Sequence, residues 1–97
     1  MSAEILIVDD NNDIRNIINE LIIDAGYITR IAANYNQALT EIDKKLPDVA
    51  ILDVKLDKGD NDGIELLSHI KKKNKDVPVI IIYRHANIEM DIKTLQN

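Results

Sequence analysis

The sequence lacks cysteine, phenylalanine and tryptophan, and its 97 residues include only three tyrosines, three glycines and two prolines. Without cysteine the chain cannot form a disulfide, a thiolate nucleophile or a cysteine-ligated zinc or iron–sulfur site. Because aromatic side chains are so few, the core has to be aliphatic, and 45% of the residues are hydrophobic. The length favours one small domain, which we assign to residues 1–97.

Long apolar segments and excess positive charge are also missing. The longest apolar run, residues 77–83, is far shorter than the roughly 20 residues of a membrane-spanning helix, and the N-terminus has no secretory signal pattern. Lys and Arg number 12 against 17 Asp and Glu, which gives a net charge of -5. Nucleic-acid affinity comes mostly from neutralising phosphates with Lys and Arg. The expectation is therefore a cytoplasmic protein with no membrane contact and no direct binding to nucleic acid.

Four short apolar segments alternate with segments of helical periodicity. The first helix carries apolar residues at positions 14, 17, 18, 21, 22 and 25, which fall on one helical face, and Gly26 follows where a left-handed cap is needed. Asn34 with Gln37 predicts a capped start of the second helix, and Asn87 predicts a fourth helix through Ile88, Ile92 and Leu95. Strands are predicted over residues 5–8, 27–32, 49–52 and 78–82, and the third helix over 64–73. This alternation predicts an α/β fold with a doubly wound parallel sheet.

Aspartates follow two of the predicted strands at the point where each strand ends. Asp9 and Asp10 come after the first strand, and Asp53 comes after the third. Since parallel strands end at the same edge of a sheet, we expect these carboxylates to converge there. Converging carboxylates repel one another unless a cation sits among them, and Mg²⁺ prefers such oxygen ligands. Taken singly, an aspartate at such a position could instead cap a helix or begin a turn.

Several motifs together resemble the response-regulator receiver domains of bacterial two-component systems, most closely the nitrogen-regulation class. The resemblance begins with Ile-Leu-Ile-Val-Asp-Asp at residues 5–10 and Pro-Asp-Val-Ala-Ile-Leu-Asp at residues 47–53. It continues with Asp-Gly-Ile-Glu-Leu-Leu at residues 62–67 and Val-Pro-Val-Ile-Ile-Ile at residues 77–82. These motifs cover nearly the whole chain.

The resemblance implies a flavodoxin-like sheet of strand order 2-1-3-4-5 and a role in a phosphorelay rather than an enzyme's role. Asp53 would be the phosphoacceptor, with a sensor histidine kinase as the phosphoryl donor. The Mg²⁺ cofactor would be held by Asp9, Asp10, Asp53 and the backbone carbonyl of Lys55. A magnesium-dependent phosphatase is disfavoured, because Lys55 stands two residues after Asp53, where such an enzyme needs a general acid.

Two departures from the receiver pattern bear on function. Tyr83 and Arg84 stand where receivers place a small hydroxyl residue and another small residue. Either Arg84 covers the pocket or pairs with Asp53, or both side chains point to solvent. The sequence also ends at Asn97, before any fifth strand, its lysine and a fifth helix, so the expected fold is a truncated receiver. Phosphorylation is therefore expected to be weak or uncoupled from conformational change.

An alternative function follows from the missing fifth strand. Strand four would then be a bare edge, and bare edges invite pairing with another chain. The alternative is a phosphorylation-independent module that forms a homo-oligomer, or binds a partner, through the strand-four edge.

Overall fold

The computed structural model of the chain describes residues 2–84 and 90–95, with the backbone alone described for residues 84 and 90–95. Its eight elements form one five-stranded sheet of order β2-β1-β3-β4-β5 with three helices. The first four strands are parallel and lie in the predicted order 2-1-3-4, which confirms the doubly wound sheet. In chain order the elements are β1 (Glu4–Val8), α1 (Asn12–Asp24), β2 (Ile28–Ala32), α2 (Tyr35–Lys44), β3 (Val49–Asp53), α3 (Asp62–Lys73), β4 (Val79–Arg84) and β5 (Met90–Leu95).

Alternate residues of each inner strand supply two separate aliphatic layers, as the two-residue period of a strand requires. Leu6 and Val8 of β1 join the larger cluster, to which α2 and α3 contribute buried residues such as Ile42 and Leu66. On the opposite face Ile5, Ile7, Ile51 and Ile82 form a smaller cluster against which Ile18 and Ile22 of α1 pack. The core is thus aliphatic, as the composition predicted.

Local sequence signals explain how the helices begin and end. Asn11 caps α1 by accepting a hydrogen bond from the Ile14 backbone N–H at 3.0 Å. Asn34 caps α2 in the same way, accepting from the Gln37 N–H at 2.8 Å. Gly26 has φ +96°, the left-handed conformation predicted after α1. The two helix starts and this turn therefore rest on chemistry readable in the sequence.

The apolar face of α1 is only partly buried. No residue of α1 is fully buried, and Ile17 and Leu21 are 55% and 63% exposed. Ile18 and Ile22 do pack on the sheet. The apolar stripe of α1 is therefore wider than the part of the sheet that packs against it in the described part of the chain.

The predicted fourth helix is wrong over the residues that the structure describes. Residues 90–95 form β5, which pairs antiparallel with β4, with Ile92 opposite Ile82. The proposed cap Asn87 and Ile88 lie outside the described residues. The spacing of Ile92 and Leu95 fits a helix, but Ile92 and Thr94 are β-branched and favour a strand. Hydrogen bonding to the backbone of β4 stabilises the strand rather than the helix.

This pairing corrects the expectation of a bare strand-four edge. Every residue of β4 from Val79 to Arg84 has an antiparallel partner in β5, so β4 lies inside the sheet. Self-association through strand four therefore loses its structural basis. Within the described part of the chain, no helix combines the length and apolarity needed to span a bilayer.

Candidate functional site

Three carboxylates meet at the carboxyl ends of β1 and β3. Val8 of β1 and Leu52 of β3 are register partners. Asp9 and Asp53 each follow one of these partners in the chain, so they lie side by side. One oxygen from each of Asp9, Asp10 and Asp53 lies within 4.8 Å of the others. Asp9 and Asp53 are buried, at 0% and 1% exposure, and Asp10 is exposed. The structure thus brings together the three carboxylates that the sequence placed at this edge.

The backbone around Asp9 is fixed by hydrogen bonds to α1. The Asn11 N–H donates to Asp9 Oδ1 at 2.9 Å, and Arg15 Nη1 donates to the Asp9 carbonyl oxygen at 2.8 Å. Arg15 Nη2 also donates to Asn12 Oδ1 at 2.5 Å. Arg15 was given no role from the sequence. Its guanidinium holds the end of β1 against the first turn of α1.

Asp53 is oriented by the chain that follows it. The Lys55 N–H donates to Asp53 Oδ1 at 3.3 Å, and the Val54 N–H donates to the Ile82 carbonyl oxygen of β4 at 3.1 Å. The Lys55 main chain is therefore adjacent to the Asp53 carboxylate. Its side chain is exposed, with Nζ 3.5 Å from Asp60 Oδ1.

A buried carboxylate closes the loop between β3 and α3. Asp62, 1% exposed, accepts hydrogen bonds from the Lys58 N–H at 2.9 Å and the Gly59 N–H at 3.0 Å. The Gly63 N–H donates to the Val54 carbonyl oxygen at 2.9 Å. Sequence reasoning assigned Asp62 no role, because nothing in a run of loop aspartates indicates which one turns inward. Its hydrogen bonds set the path by which the chain leaves Asp53.

Tyr83 is half-buried in β4 and packs against the larger aliphatic cluster. The interpretation that its side chain points to solvent is therefore wrong. The side chain of Arg84 lies outside what the structure describes, so its proposed contact with Asp53 stays a prediction. The residue at the position of the receiver hydroxyl is thus held by core packing.

The cluster fits a hard divalent cation. Its donors are all carboxylate oxygens, and two of the three carboxylates are buried, where unbalanced negative charge is costly. Mg²⁺ is commonly held by one or two carboxylates together with waters and a phosphate. The chemistry and the position of Asp9, Asp10 and Asp53 therefore fit Mg²⁺ as the bound cation.

Comparison with known proteins agrees with this geometry. The family profile of the response regulator receiver domain matches residues 5–97. The chain belongs to the response-regulator receiver family. Such domains act as phosphotransfer modules that work with sensor histidine kinases and bind Mg²⁺ through acidic residues.

The individual relatives with similar sequences include a nitrogen regulator and a sporulation phosphotransferase. It is 38% identical over 96 residues to the nitrogen assimilation regulatory protein NtrX of Azorhizobium caulinodans, covering 99% of this chain and 21% of that protein. It is 40% identical over 90 residues to sporulation initiation phosphotransferase F of Bacillus subtilis, covering 93% of this chain and 71% of that protein. The chain thus spans about a fifth of the length of the nitrogen regulator.

The fold likeness is equally clear. The crystal structure of the receiver domain of NtrX from Brucella abortus superposes with a TM-score of 0.75 at 38% sequence identity. The match covers 86% of this chain and 69% of that one.

Proposed function

We propose that this receiver accepts a phosphoryl group on Asp53 in a Mg²⁺-dependent reaction. The observation that supports the proposal is the position of Asp53, buried at the end of β3 with oxygens of Asp9 and Asp10 within 4.8 Å. Asp9, Asp10, Asp53 and the Lys55 carbonyl would hold the Mg²⁺. The donor would be the phosphohistidine of a sensor kinase, and the proposal keeps the cytoplasmic location that the resemblance implies.

In the proposed reaction a carboxylate oxygen of Asp53 attacks the phosphorus of the phosphohistidine. A new O–P bond forms, the P–N bond to the donor imidazole breaks, and that nitrogen leaves with the bonding pair and is then protonated. Bound Mg²⁺ would offset the negative charge on the transferring oxygens. The hydrogen bond from the Lys55 N–H to Oδ1 holds the carboxylate in a fixed orientation, which is the positioning that phosphoryl transfer needs.

We infer that phosphorylation is weakly coupled to conformational change. In receivers the small hydroxyl residue at the end of strand four moves to bond the phosphoryl oxygen. Tyr83 occupies this position, is larger, and is already packed against the aliphatic cluster under α2 and α3. Moving it would expose apolar surface, which opposes the switch.

The test is the intact mass of the protein after incubation with acetyl phosphate and Mg²⁺. We expect addition of one phosphoryl group, its loss in Asp53→Ala, and its loss when EDTA removes the metal. Asp60→Ala is the matched control, because Asp60 is an exposed carboxylate on the loop that follows Asp53, 83% exposed at its side chain. That variant should be labelled like the parent.

Labelling that persists in Asp53→Ala would overturn the assignment of the phosphoacceptor. Labelling that is unaffected by EDTA would overturn the metal dependence. No labelling of folded protein would refute the phosphotransfer proposal.

A further inference from the structure

The strand β2 ends the sheet on the side away from β5, with β1, β3 and β4 between them. The Ile28 N–H donates to the Ala3 carbonyl oxygen, and the Ala32 carbonyl oxygen accepts from the residue that follows β1. Residues 28 and 32 therefore point their backbone groups toward β1. Because this direction alternates along a strand, the backbone groups of Thr29 and Ile31 point away from the sheet. We call this outward row of backbone groups the β2 edge.

The β2 edge has a defined beginning and end. The Tyr27 N–H is taken by the Ile22 carbonyl oxygen at 3.3 Å, whereas the Tyr27 carbonyl points outward, opposite to the N–H of the same peptide unit. At the other end the Ala33 N–H donates to Gln37 Oε1 at 2.9 Å. Among the described residues no partner bonds the outward groups between these limits, which are the Tyr27 C=O, the Thr29 N–H and C=O, and the Ile31 N–H and C=O.

Exposed apolar side chains lie on both faces of the β2 edge. Tyr27, Ile28 and Ile31 are 45%, 52% and 46% exposed. Ile31 is the register partner of Ile7, which places it on the α1 side, and alternation places Ile28 on the α2 side. The strand has no lysine, proline or bulge, the features that commonly keep edge strands apart.

The one charged residue of β2 does not protect this edge. Arg30 Nε lies 2.8 Å from Glu4 Oε1, and Arg30 Nη1 donates to the Glu41 carbonyl oxygen at 2.9 Å. Arg30 Nη2 donates to the Lys45 carbonyl oxygen at 2.6 Å. The guanidinium is therefore balanced by carboxylate and carbonyl oxygens of β1 and α2, and it is not held out as a repelling cation.

We propose that two copies of this chain pair antiparallel through their β2 edges, about a two-fold axis at Thr29. Opposite residues of an antiparallel pair exchange both backbone hydrogen bonds at every second position. With the axis at Thr29, the two Thr29 residues exchange their bonds, and each Ile31 N–H reaches the Tyr27 carbonyl oxygen of the other copy. The open backbone groups of the β2 edge are therefore complementary to themselves, which favours a second copy as the occupant.

The side chains fit the same register. Tyr27 of one copy lies opposite Ile31 of the other on the α1 side, and such aromatic–β-branched pairs stabilise antiparallel strands. On the α2 side Ile28 lies opposite Arg30 of the other copy. All three exposed apolar side chains of the β2 edge thus gain a neighbour, and no like charges face each other across the pair.

A neighbouring register is excluded by two contacts. An axis at Arg30 would set the two Arg30 side chains directly opposite each other, which is unfavourable for like charges. It would also need the Ala33 N–H to bond the other copy, and Gln37 already accepts from that group. The axis at Thr29 has neither conflict.

Sedimentation equilibrium of the intact protein tests the pairing. The five residues of β2 form a small interface, so we expect a reversible dimer whose mass approaches twice that of the monomer between about 10 µM and 1 mM protein. Each copy carries a net charge of -5, so association should strengthen as salt screens the repulsion. Asp53→Ala should associate like the parent, which separates this result from phosphotransfer.

Matched variants locate the edge. Thr29→Pro removes only an outward N–H, which edge strands tolerate, and should weaken association at least about tenfold, while Thr29→Val should associate like the parent. Ile31→Lys should weaken association to a similar extent. Ile17→Lys is its control, because Ile17 is 55% exposed on α1 and lies away from β2. Urea unfolding of each variant verifies that the fold is retained.

Disulfide trapping tests the register. The chain has no cysteine, so Thr29→Cys introduces one thiol per copy. The two Cα atoms at position 29 would lie about 5.5 Å apart, within the range of a disulfide. Ile31→Cys is the control, because four residues along the strand, roughly 14 Å, separate the two copies of position 31. Under mild oxidation Thr29→Cys should form the cross-linked dimer at least about tenfold faster.

Three results would overturn the proposal: a monomer mass at every protein concentration, equal weakening by Ile31→Lys and Ile17→Lys, or equal trapping rates for Thr29→Cys and Ile31→Cys.

Discussion

Gly63 is the point at which a single methyl group should disturb both the fold and the phosphoacceptor. A Cβ added at Gly63 would overlap the carbonyl oxygen of Asp53 and lie 2.8 Å from Cα of Val54. These neighbours are backbone atoms of the strand end that presents the Asp53 carboxylate. Gly63→Ala therefore cannot be accommodated by turning a flexible side chain, and either α3 or the end of β3 has to move.

The size of the effect follows from two opposing contributions. Overpacking of a closely packed site costs roughly 1–3 kcal/mol, and the backbone contacts at Gly63 favour the upper part of that range. Alanine is better than glycine inside a helix by at most about 1 kcal/mol, and less in the first turn, where Gly63 lies. We expect a net loss of about 2 kcal/mol, a large share of the roughly 5–15 kcal/mol that stabilises a small domain.

Urea denaturation measures this loss. With a slope of about 1.3 kcal/mol per molar urea, the midpoint should fall by about 1.5 M. The matched control is Gly59→Ala, because the nearest atom to a Cβ at Gly59 is Asp62 Oδ1 at 3.8 Å, an ordinary contact. Acetyl phosphate labelling of Gly63→Ala should also be slower than that of Gly59→Ala, since the strand end is displaced. Equal midpoints for the two variants would refute the close-approach argument.

Two further predictions concern the surface of α2. Asn34→Ala should cost about 1 kcal/mol in urea unfolding, because the Asn34 side chain caps the helix by accepting from the Gln37 N–H, and Asn34→Asp should retain most of that stability. The hydrogen bond from His69, together with Lys73, holds the pKa of Asp43 below its ordinary value of 3.8. Since a lowered folded-state pKa stabilises above the unfolded value, Asp43→Asn should be less stable than the parent near neutral pH. The difference should vanish as the pH falls through and below 3.8, and a difference that persists in acid would contradict this origin.

The sheet and the carboxylate cluster were predictable because their signals are local and repeat along the chain. The apolar run at residues 5–8 ends at Asp9, and the run at 49–52 ends at Asp53. Strand direction then follows from the handedness of the crossovers, which sends both aspartates to one edge. The three carboxylates meet there as expected.

The fourth helix was predicted wrongly and other details could not be predicted, because they depend on what lies beside a segment. Residues 90–95 fit a helix or a strand by pattern alone, and the exposed hydrogen-bonding edge of β4 decides between them. Whether Ile17 is buried depends on which segments pack against α1, and the spacing of apolar residues along α1 does not indicate that. Asp62 and Gly63 act through contacts with the loop and with β3 that emerge only when α3 is docked.

The end of β4 lies directly beside the phosphoacceptor. The Ile82 carbonyl oxygen accepts a hydrogen bond from the Val54 N–H, which follows Asp53 in the chain. Proximity alone does not couple two places in a protein, because coupling requires an element with two arrangements that both places bias. Tyr83, the residue after Ile82, packs against the larger aliphatic cluster. A second arrangement of Tyr83 would have to break that packing, so the proposed phosphotransfer should occur with little rearrangement at the end of β4.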